Sequence, residues 1–284
     1  MNQDIDLDIA ALRQWIGRTE LARDVITPRL VDELNATLDV DAGHAQGGSL
    51  APLATHWCLA PPAARASLIG PDGHPARGGF LPPVPLPRRM WAGGSLRFHD
   101  RLRVGDIIER TSRIADVTMK EGSTGRLCFV AVDHAFHSPR GLAIEERQDI
   151  VYRDIQVAAA TKTPPPAPLP TPQWRRAMRA DPVLLFRYSA LTFNGHRIHY
   201  DRAYVTQIEA YHGLIVHGPL QATLLIDFAA HVRGSAPKHF NFRGVQPLFD
   251  FMNFALCASE TQNGLDVWVQ TDEGVKTMDA QAIW

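Results

Sequence analysis

Residues 218–232 read GPLQATLLIDFAAHV, and this segment sets the architecture expected of the chain. It opens with Gly218 and Pro219, and proline suits the first turn of a helix because no hydrogen bond is lost there. The residues that follow are rich in alanine and leucine and are apolar on nearly all sides. A helix of that kind is stable when other elements cover it. The segment therefore predicts a long buried helix in the second half of the chain.

Short apolar runs after this helix predict the strands that surround it. Residues 240–245, 250–259 and 266–271 have the composition and alternation of strands. A turn that contains Gly274 then leads into a last strand, which ends at Trp284. Because each strand follows the previous one after a short turn, the pattern favours an antiparallel sheet packed on the helix.

The first half of the chain repeats this plan. A strand, a turn and a second strand occupy residues 96–114, and further apolar runs cover 127–136 and the approach to Tyr152. Gly141 is followed by glutamine and isoleucine seven and nine residues later, and so is Gly274 in the second half. Coincidence between two β-hairpins is the alternative explanation. The repeat favours duplication of one structural unit.

Helical material is also expected at the start of the first half, over residues 16–38. Thr27 suits the N-cap, Pro28 suits the first helical position, and apolar residues follow at helical spacing as far as Leu38. One helix followed by several antiparallel strands, twice in one chain, predicts an α+β protein with a double hot-dog fold.

A proline-rich stretch divides the two halves. Residues 163–172 read TPPPAPLPTP, and proline both removes backbone donors and favours an extended chain. We therefore expect two hot-dog halves, residues 1–160 and 174–284, joined by a linker at residues 161–173.

The composition argues against several classes of function. The chain has 284 residues and a formal net charge of −1, from 29 lysines and arginines and 30 aspartates and glutamates. Broad nucleic-acid binding usually needs a basic excess. Three distant cysteines without a CxxC motif argue against a disulfide framework. With no apolar run of membrane-spanning length and an acidic N-terminal segment unlike a secretory signal, a cytoplasmic protein without membrane contact is expected.

Polar groups are concentrated in residues 186–204, which read FRYSALTFNGHRIHYDRAY. Asn194, His196 and His199 lie within six residues of one another, shortly before the predicted buried helix. A second polar stretch ends in His217-Gly218 at the start of that helix. Backbone N–H groups at a helix N-terminus have no partner within the helix and can bind a developing oxyanion. The reaction centre is therefore expected in the second half.

Residues 189–201 read SALTFNGHRIHYD, and this string resembles the active-site motif of MaoC-like (R)-specific enoyl-CoA hydratases and dehydratases. The resemblance implies that His199 is the catalytic histidine and that the amide of Gly218 binds the thioester carbonyl. The family pattern usually has an aspartate five residues before the histidine, where this chain has Asn194. A subgroup with asparagine includes mitochondrial-type 3-hydroxyacyl-thioester dehydratases and bacterial mesaconyl-C4-CoA or itaconyl-CoA hydratases.

Two segments of the first half resemble the bacterial branch. Residues 86–94, LPRRMWAGG, and residues 15–20, WIGRTE, are similar to hydratases of C5-dicarboxylyl-CoA esters. The resemblance implies a hydro-lyase that converts mesaconyl-C4-CoA or itaconyl-CoA to citramalyl-CoA. The alternatives are a 3-hydroxyacyl-CoA or acyl-carrier-protein dehydratase of fatty-acyl metabolism and a non-catalytic acyl-CoA-binding module. The first half has no copy of the motif and is expected to form part of the pocket.

The implied reaction gives each candidate residue a role. His199 would act as base and acid, because imidazole titrates near neutral pH. Asn194 cannot accept a proton and would hold the water through its carboxamide oxygen. Gly218 N–H would polarise the thioester carbonyl. Purely structural explanations also exist: a buried histidine bonded to a loop carbonyl, a turn at Asn194-Gly195, and close entry into the helix at Gly218.

A second carboxylate in the substrate would need a cation, and the arginine guanidinium matches a carboxylate best. The candidates for substrate binding are Arg88, Arg89, Arg197, Arg243, His217 and Tyr204. Arg89 is preferred because its glycine-rich surroundings suit a loop over a pocket, although adjacent arginines are often only solvated.

No metal or redox cofactor is expected, and CoA enters as part of the substrate. Four histidines near the motif raise the question of zinc, but they have no cysteine partner and no HExxH pattern; they are His196, His199, His212 and His217. The expected partners are an acyl-CoA substrate and further copies of the chain, as a homo-oligomer.

Overall fold

The computed structural model describes residues 8–122, 125–153 and 169–284. Within these ranges the helices are α1 (Ile9–Arg13), α2 (Pro28–Thr37), α3 (Pro182–Leu191), α4 (Arg202–Gln207) and α5 (Gly218–Arg233). The strands are β1 (Thr19–Val25), β2 (Arg88–Phe98), β3 (Ile107–Gly122), β4 (Gly125–Ser138), β5 (Gly141–Arg153), β6 (Trp174–Arg179), β7 (His239–Gly244), β8 (Asn253–Thr261), β9 (Gly264–Thr271) and β10 (Lys276–Ile283). Residues 161–168 of the expected linker lie outside the described residues.

The ten strands join one antiparallel sheet in the order β1-β3-β4-β5-β2-β7-β10-β9-β8-β6. Counted outward from the centre, β2, β5, β4, β3 and β1 of the first half correspond to β7, β10, β9, β8 and β6 of the second. The halves meet at the seam, where β2 pairs with β7 from Gly93 opposite Arg243 to Arg97 opposite His239. The duplication expected from the hairpin glycines is therefore present in the strand order as well.

The seam requires residues without side chains. A Cβ added to Gly93 would lie 2.5 Å from the carbonyl oxygen of Phe242, and one added to Gly94 would lie 2.4 Å from the carbonyl oxygen of Arg147. Larger residues at these two positions would force the strands apart. The Gly93-Gly94 pair thus permits one continuous sheet across both halves.

The buried helix of the second half is α5, as residues 218–232 predict. Pro219 lies in its first turn, and Gly234 ends it in the left-handed conformation with φ of 73°. Leu225 and Ile226, in the middle of the helix, are fully buried. The helix packs on β8, β9 and β10 of its own half and on β2 of the other, so it ties the second-half core to the seam.

The first half has a shorter helix. Residues 28–37 form α2, and the Thr27 side chain accepts the N–H of Leu30 at 3.1 Å, as its sequence predicts. The prediction of helical material from residue 16 is wrong for residues 19–25, which form β1 at an edge of the sheet. This strand exposes most of its side chains, so it lacks the apolar alternation that identifies a strand.

The expectation that Arg89 lies on a loop over the pocket is also wrong. Arg88–Gly94 belong to β2, because β5 pairs along this segment and places Arg89 opposite Tyr152. The glycines there serve the close strand packing at the seam and do not mark a loop.

Polar residues cross the inner face of the first-half sheet. One face of β4 carries Val130, then His134, then Phe136. His134 lies opposite Ser112 of β3 and Glu146 of β5. These side chains separate a local apolar cluster on the Val130 side from a larger cluster on the Phe136 side, which continues into the second half.

Cys58, Cys128 and Cys257 are all buried and free, which agrees with the expected absence of a disulfide framework. In the part of the chain that the structure describes, every helix is too short or too polar to cross a membrane.

Candidate active site

The polar segment identified in the sequence connects α3 to α4 and precedes α5. Asp181 caps α3 by accepting the N–H of Leu184 at 2.9 Å, and Asp201 caps α4 by accepting the N–H of Tyr204 at 3.0 Å. Between the caps, Arg197–His199 forms one 3-10 turn. Two capped helices therefore fix the segment that carries the candidate catalytic histidine.

His199 is held as a neutral base. Its Nδ1 lies 2.7 Å from the carbonyl oxygen of Ile215, an acceptor, so Nδ1 carries the proton and Nε2 carries the lone pair. Nε2 has no hydrogen-bond partner among the described residues. Burial lowers the pKa of His199 to about 4, although the Ile215 hydrogen bond opposes this shift. At neutral pH the ring can therefore accept a proton at Nε2.

The side-chain rings of four histidines form a continuous row, which we call the histidine row: His74, His196, His199 and His217. The ring centroids are 4.1 Å apart between His74 and His196, 5.5 Å between His196 and His199, and 3.5 Å between His199 and His217. Burial lowers the pKa of His196 to about 2 and holds the pKa of His217 well below its ordinary value. The buried rings are therefore neutral at pH 7 and pack without mutual repulsion.

His217 and Gly218 place this row against the start of α5. His217 is the N-cap of the helix, and its Nε2 lies 2.8 Å from the Ser189 hydroxyl oxygen. Gly218 is the first helical residue, where backbone amides lack intrahelical acceptors and face the positive end of the helix dipole. A Cβ added to Gly218 would lie 3.7 Å from the carbonyl oxygen of Trp91 in β2. An oxyanion could bind here, beside His199 and at the seam.

Asn194 forms the turn over Gly195 that was the structural alternative to its catalytic role. Its Oδ1 accepts the backbone N–H of His196 at 3.0 Å, and its own N–H donates to the carbonyl of Ser189 at 2.8 Å. The side-chain oxygen that was expected to hold a water thus fixes the backbone between Asn194 and His196. In this structure Asn194 acts as a positioning residue for the turn that carries His199.

A loop of the first half closes one end of the histidine row. The backbone carbonyl of Asp72 accepts the N–H of Arg197 at 2.9 Å, and the Asp72 carboxylate lies 3.0 Å from Nδ1 of His74. A Cβ added to Gly73, whose φ is 91°, would lie 1.9 Å from the carbonyl oxygen of Gly195. Only glycine permits this crossing of two backbones.

No motif in the sequence distinguishes Asp72 or His74. Both lie far before His196 in the chain, and only the folded structure brings them to the row. Their one local signal is an Asp-Gly-His turn in a region rich in glycine and proline, and such turns are common in ordinary loops.

One set of side chains in the described ranges has the types and spacing of metal ligands. Donor atoms of Asp72, His74 and His196 lie within 4.8 Å of one another. Of the four histidines considered from the sequence, three come together in the histidine row, whereas His212 is exposed and its ring lies against that of Phe249. The set fits a cation poorly for two reasons. Nδ1 of His74 is already hydrogen-bonded to Asp72. The pKa of His74 and of His196 is lowered by burial and also by the positive charge of Arg89. The surroundings favour an anion.

Two of the four candidate arginines form ion pairs inside the protein. Arg88 is buried and donates from Nε to the carboxylate of Glu209 at 3.0 Å. Arg197 donates to the carboxylate of Asp201 at 2.8 Å, and its guanidinium lies 4.1 Å from the ring centroid of Tyr204. The Tyr204 hydroxyl donates to Glu209 at 3.1 Å. These groups stabilise the walls of the site, and their charges are already matched.

The other two arginines differ in location. Arg243 is exposed on β7 and alternates with buried Phe242, so it lies on the outer face of the sheet. Arg89 is half-buried. Burial is the main cause of the lowered pKa of His74 and of His196, and the positive charge of Arg89 lowers both pKa values further. Among the described residues no carboxylate forms an ion pair with Arg89. Arg89 hydrogen-bonds the side chain of Tyr152, a neutral partner, so it is the half-buried candidate arginine whose charge is not matched by a carboxylate.

The chain is similar over most of its length to proteins of known activity. Residues 54–250 match the model of the family described as hydroxyacyl-thioester dehydratase type 2. Mesaconyl-C(4)-CoA hydratase of Chloroflexus aurantiacus is 43% identical over 266 residues, which cover 94% of this chain and 95% of that protein. The mitochondrial hydroxyacyl-thioester dehydratase type 2 of Schizosaccharomyces pombe is 28% identical over 87% of this chain and 91% of that protein.

Solved structures share the fold at low sequence identity. HtdX of Mycobacterium tuberculosis has a TM-score of 0.68 at 16% identity, covering 93% of this chain and 98% of that one. A MaoC-like dehydratase from Phytophthora capsici has a TM-score of 0.68 at 14% identity, covering 98% and 99%. A Mycobacterium tuberculosis protein with a double hotdog fold has a TM-score of 0.55 at 13% identity, covering 94% and 96%. These likenesses confirm the predicted double hot-dog fold.

Proposed function

The chain belongs to the hydroxyacyl-thioester dehydratase type 2 family, and we propose that it is a hydro-lyase that hydrates mesaconyl-C4-CoA or itaconyl-CoA to citramalyl-CoA. One observation carries the proposal: His199, a buried base with a free Nε2, lies in the histidine row between His217, the N-cap of α5, and His196. The relative that is 43% identical supports this substrate class. CoA is part of the substrate, and no further cofactor enters the proposed reaction.

Three groups of the chain serve the proposed addition of water. Gly218 N–H donates to the thioester oxygen, where negative charge develops, and such a donor typically contributes ~3 kcal/mol. In mesaconyl-C4-CoA, whose double bond joins Cα and Cβ, Nε2 of His199 removes a proton from water while the water oxygen bonds to Cβ, and the same nitrogen then gives that proton to Cα. One hydroxyl group and one hydrogen are thus added across the double bond. The Ile215 carbonyl holds the Nδ1 proton and stabilises the transient imidazolium.

The connectivity of the substrate determines where its second carboxylate must lie. In mesaconyl-C4-CoA this carboxylate is attached to the carbon that receives the hydroxyl group. A cation that binds it must therefore be close to His199. Arg89 is the candidate for this cation, because its charge acts on His196, whose ring centroid is 5.5 Å from that of His199. The other candidate arginines are exposed or already paired.

The proposed role of Asn194 is to position the turn that carries His199. Its carboxamide oxygen accepts the His196 amide, and a carboxamide is neither protonated nor deprotonated near neutral pH. Both proton transfers are therefore assigned to His199. Assembly as a homo-oligomer and a cytoplasmic location remain predictions.

The experiment offers mesaconyl-C4-CoA, itaconyl-CoA and crotonyl-CoA to the purified protein and follows the products by chromatography. We expect formation of citramalyl-CoA from at least one dicarboxylyl ester. His199→Ala should lower kcat by at least about 100-fold, the lower range for loss of a general base. His44→Ala is the matched control, because the His44 side chain is 98% exposed.

The other outcomes distinguish the alternatives. Turnover of crotonyl-CoA alone would favour a fatty-acyl dehydratase and would remove the need for a carboxylate-binding cation. Tight binding of all three esters without any turnover would favour a non-catalytic acyl-CoA-binding module.

A further inference from the structure

We propose that His74, held by Asp72, completes with Arg89 the subsite that binds the second carboxylate of the substrate. The inference rests on the proposed function and names the residues that select the substrate class. It gives the first half, which has no copy of the catalytic motif, a defined part in specificity.

The order of groups along the histidine row matches the order of groups in the acyl chain. Gly218 and His217 lie at one end of the row, His199 follows, and His196 and His74 lie at the other end. In the substrate the thioester carbonyl, the protonated carbon, the hydroxylated carbon and the second carboxylate follow one another in the same order. With the carbonyl on the Gly218 amide and the reacting carbons beside His199, the carboxylate falls at the His74 end.

The pair of Asp72 and His74 is suited to bind a carboxylate. The Asp72 carboxylate lies 3.0 Å from Nδ1 of His74 and also accepts the backbone N–H of His74 at 3.0 Å. These two contacts fix the ring with Nε2 directed away from Asp72. A carboxylate at Nε2 would place the ring between two anions, and opposite charges favour the protonated imidazole. The His74 side chain is 19% exposed, so a substrate can reach it.

Arg89 adds a permanent positive charge beside this pair. Arg89 lies on β2 opposite Tyr152 of β5 and hydrogen-bonds its side chain. Besides burial, the charge of Arg89 lowers the pKa of His74 and of His196. Arg77 also acts on His74, but its guanidinium donates to two backbone carbonyls of the 84–87 segment. A bound carboxylate would be attracted by Arg89, whereas a metal ion between Asp72 and the two histidines would be repelled by it.

The test compares two ligands that differ in the carboxylate alone. One is the methylsuccinyl-CoA ester with the connectivity of reduced mesaconyl-C4-CoA, and the other is isovaleryl-CoA, in which a methyl group replaces the carboxylate. Binding to the full chain is measured by calorimetry for the wild-type protein, His74→Gln, Asp72→Asn and His44→Gln. His44 is the matched control because it also lies beside a carboxylate, Asp32 at 3.4 Å, but on the exposed surface.

We expect His74→Gln to weaken binding of the methylsuccinyl ester by at least about tenfold and of isovaleryl-CoA by less than about twofold, as for loss of a charge-assisted hydrogen bond. Asp72→Asn should act in the same direction, and His44→Gln should change neither affinity. Equal weakening of both ligands, or unchanged binding of the methylsuccinyl ester, would overturn the inference. Tight Zn²⁺ binding that requires His74 and competes with the ester would also overturn it, in favour of a metal site.

Hydration of mesaconyl-C4-CoA by the wild-type protein is measured in parallel. If the ester binds in a His74-dependent manner but mesaconyl-C4-CoA is not hydrated, the subsite stands and the proposed reaction fails. If mesaconyl-C4-CoA is hydrated and His74→Gln binds the methylsuccinyl ester as the wild-type protein does, the reaction stands and the subsite fails.

Discussion

Two features of the His199 environment act in opposite directions on its basicity. Burial lowers its pKa to about 4, and the hydrogen bond to the Ile215 carbonyl opposes that shift. A general base must be deprotonated before it can accept a proton from water. We therefore expect kcat/KM not to decline as the pH drops through 6.5, where an ordinary histidine titrates, and to fall as the pH drops through about 4.

The measurement is the pH dependence of kcat/KM, because this parameter reports the free enzyme. Samples returned to pH 7 after exposure to each pH serve as the control for acid unfolding. An acid limb centred near pH 6.5 would contradict the assignment of the buried His199 as the base.

Glu146 is the central residue among the polar groups of the first half. Its Oε1 accepts N–H groups from Trp57 at 2.8 Å and from Gln148 at 2.9 Å. Its Oε2 lies 3.7 Å from Nε2 of His56, and neither atom has a hydrogen-bond partner among the described residues. Burial raises the pKa of Glu146 from 4.5 to about 7, and the two hydrogen bonds oppose the shift. The stability linked to this proton is therefore complete below pH 4.5 and is lost as the pH rises through 7.

Glu146→Gln should stabilise the protein at alkaline pH. The amide oxygen can still accept both N–H groups, and the new NH₂ can donate to Nε2 of His56, whose Nδ1 lies 3.3 Å from the Leu53 carbonyl. We expect the free energy of unfolding in urea to rise on the order of 1 kcal/mol at pH 8 and by less at pH 5. Glu145→Gln, at the next and half-exposed position, should change it by less than about 0.5 kcal/mol. Destabilisation at pH 8 would contradict this account of Glu146.

The sequence predicts a candidate catalytic segment, which remains a prediction, but does not predict the first-half residues that lie beside it. Asn194, His199 and Gly218 stand out because their spacing follows a motif. Arg88 and Arg89 are adjacent in the sequence, yet one is buried against Glu209 and the other is hydrogen-bonded to Tyr152. Glu209 lies 121 residues from Arg88 in the chain, so no local pattern separates the two arginines.

Among the elements of the structure, the loop that carries Asp72 and His74 depends most on one residue. Gly73 crosses Gly195 so closely that a Cβ would lie 1.9 Å from the Gly195 carbonyl oxygen, and its φ of 91° disfavours other residues. We expect Gly73→Ala to displace the loop and to lower kcat/KM for every substrate by at least about tenfold, since small misplacements of a site are costly.

Gly79→Ala is the control for this prediction, because a Cβ at Gly79 would meet no atom within 4 Å. Its kcat/KM should stay close to that of the wild-type protein. Normal activity of Gly73→Ala would show that the crossing of Gly73 and Gly195 does not position the site.

Buried elements could be predicted better than exposed ones. The apolar sequence of α5 predicted residues 218–232, and the helix spans Gly218–Arg233. The edge strands β1 and β6 were not predicted, because they read TELARDV and WRRAMR and expose most of their side chains. An edge strand that buries few side chains does not show the alternation of apolar and polar residues by which a strand is recognised. Charged residues at a sheet edge oppose unwanted pairing with other chains.

On the scale of the whole molecule, the two halves keep one strand order and fill their inner faces differently. The second half covers its strands with α5, whereas the first half has the shorter α2 and a line of polar residues. The first half contributes β2 and the Gly73 loop to the site, and the second contributes His199 and Gly218. The proposed site therefore requires both halves, although the catalytic motif lies in one.

A shared core predicts that the two halves unfold together. One apolar cluster contains Leu96 from β2 of the first half and Leu256 from β8 of the second. We expect a single calorimetric transition whose calorimetric and van't Hoff enthalpies agree. Leu96→Ala and Leu256→Ala should each lower the free energy of unfolding by about 2–5 kcal/mol and shift that same transition, whereas Leu50→Ala, at a position 53% exposed, should leave it in place. Two transitions, with each substitution moving only one of them, would mean that the halves are independent domains and that the seam adds little stability.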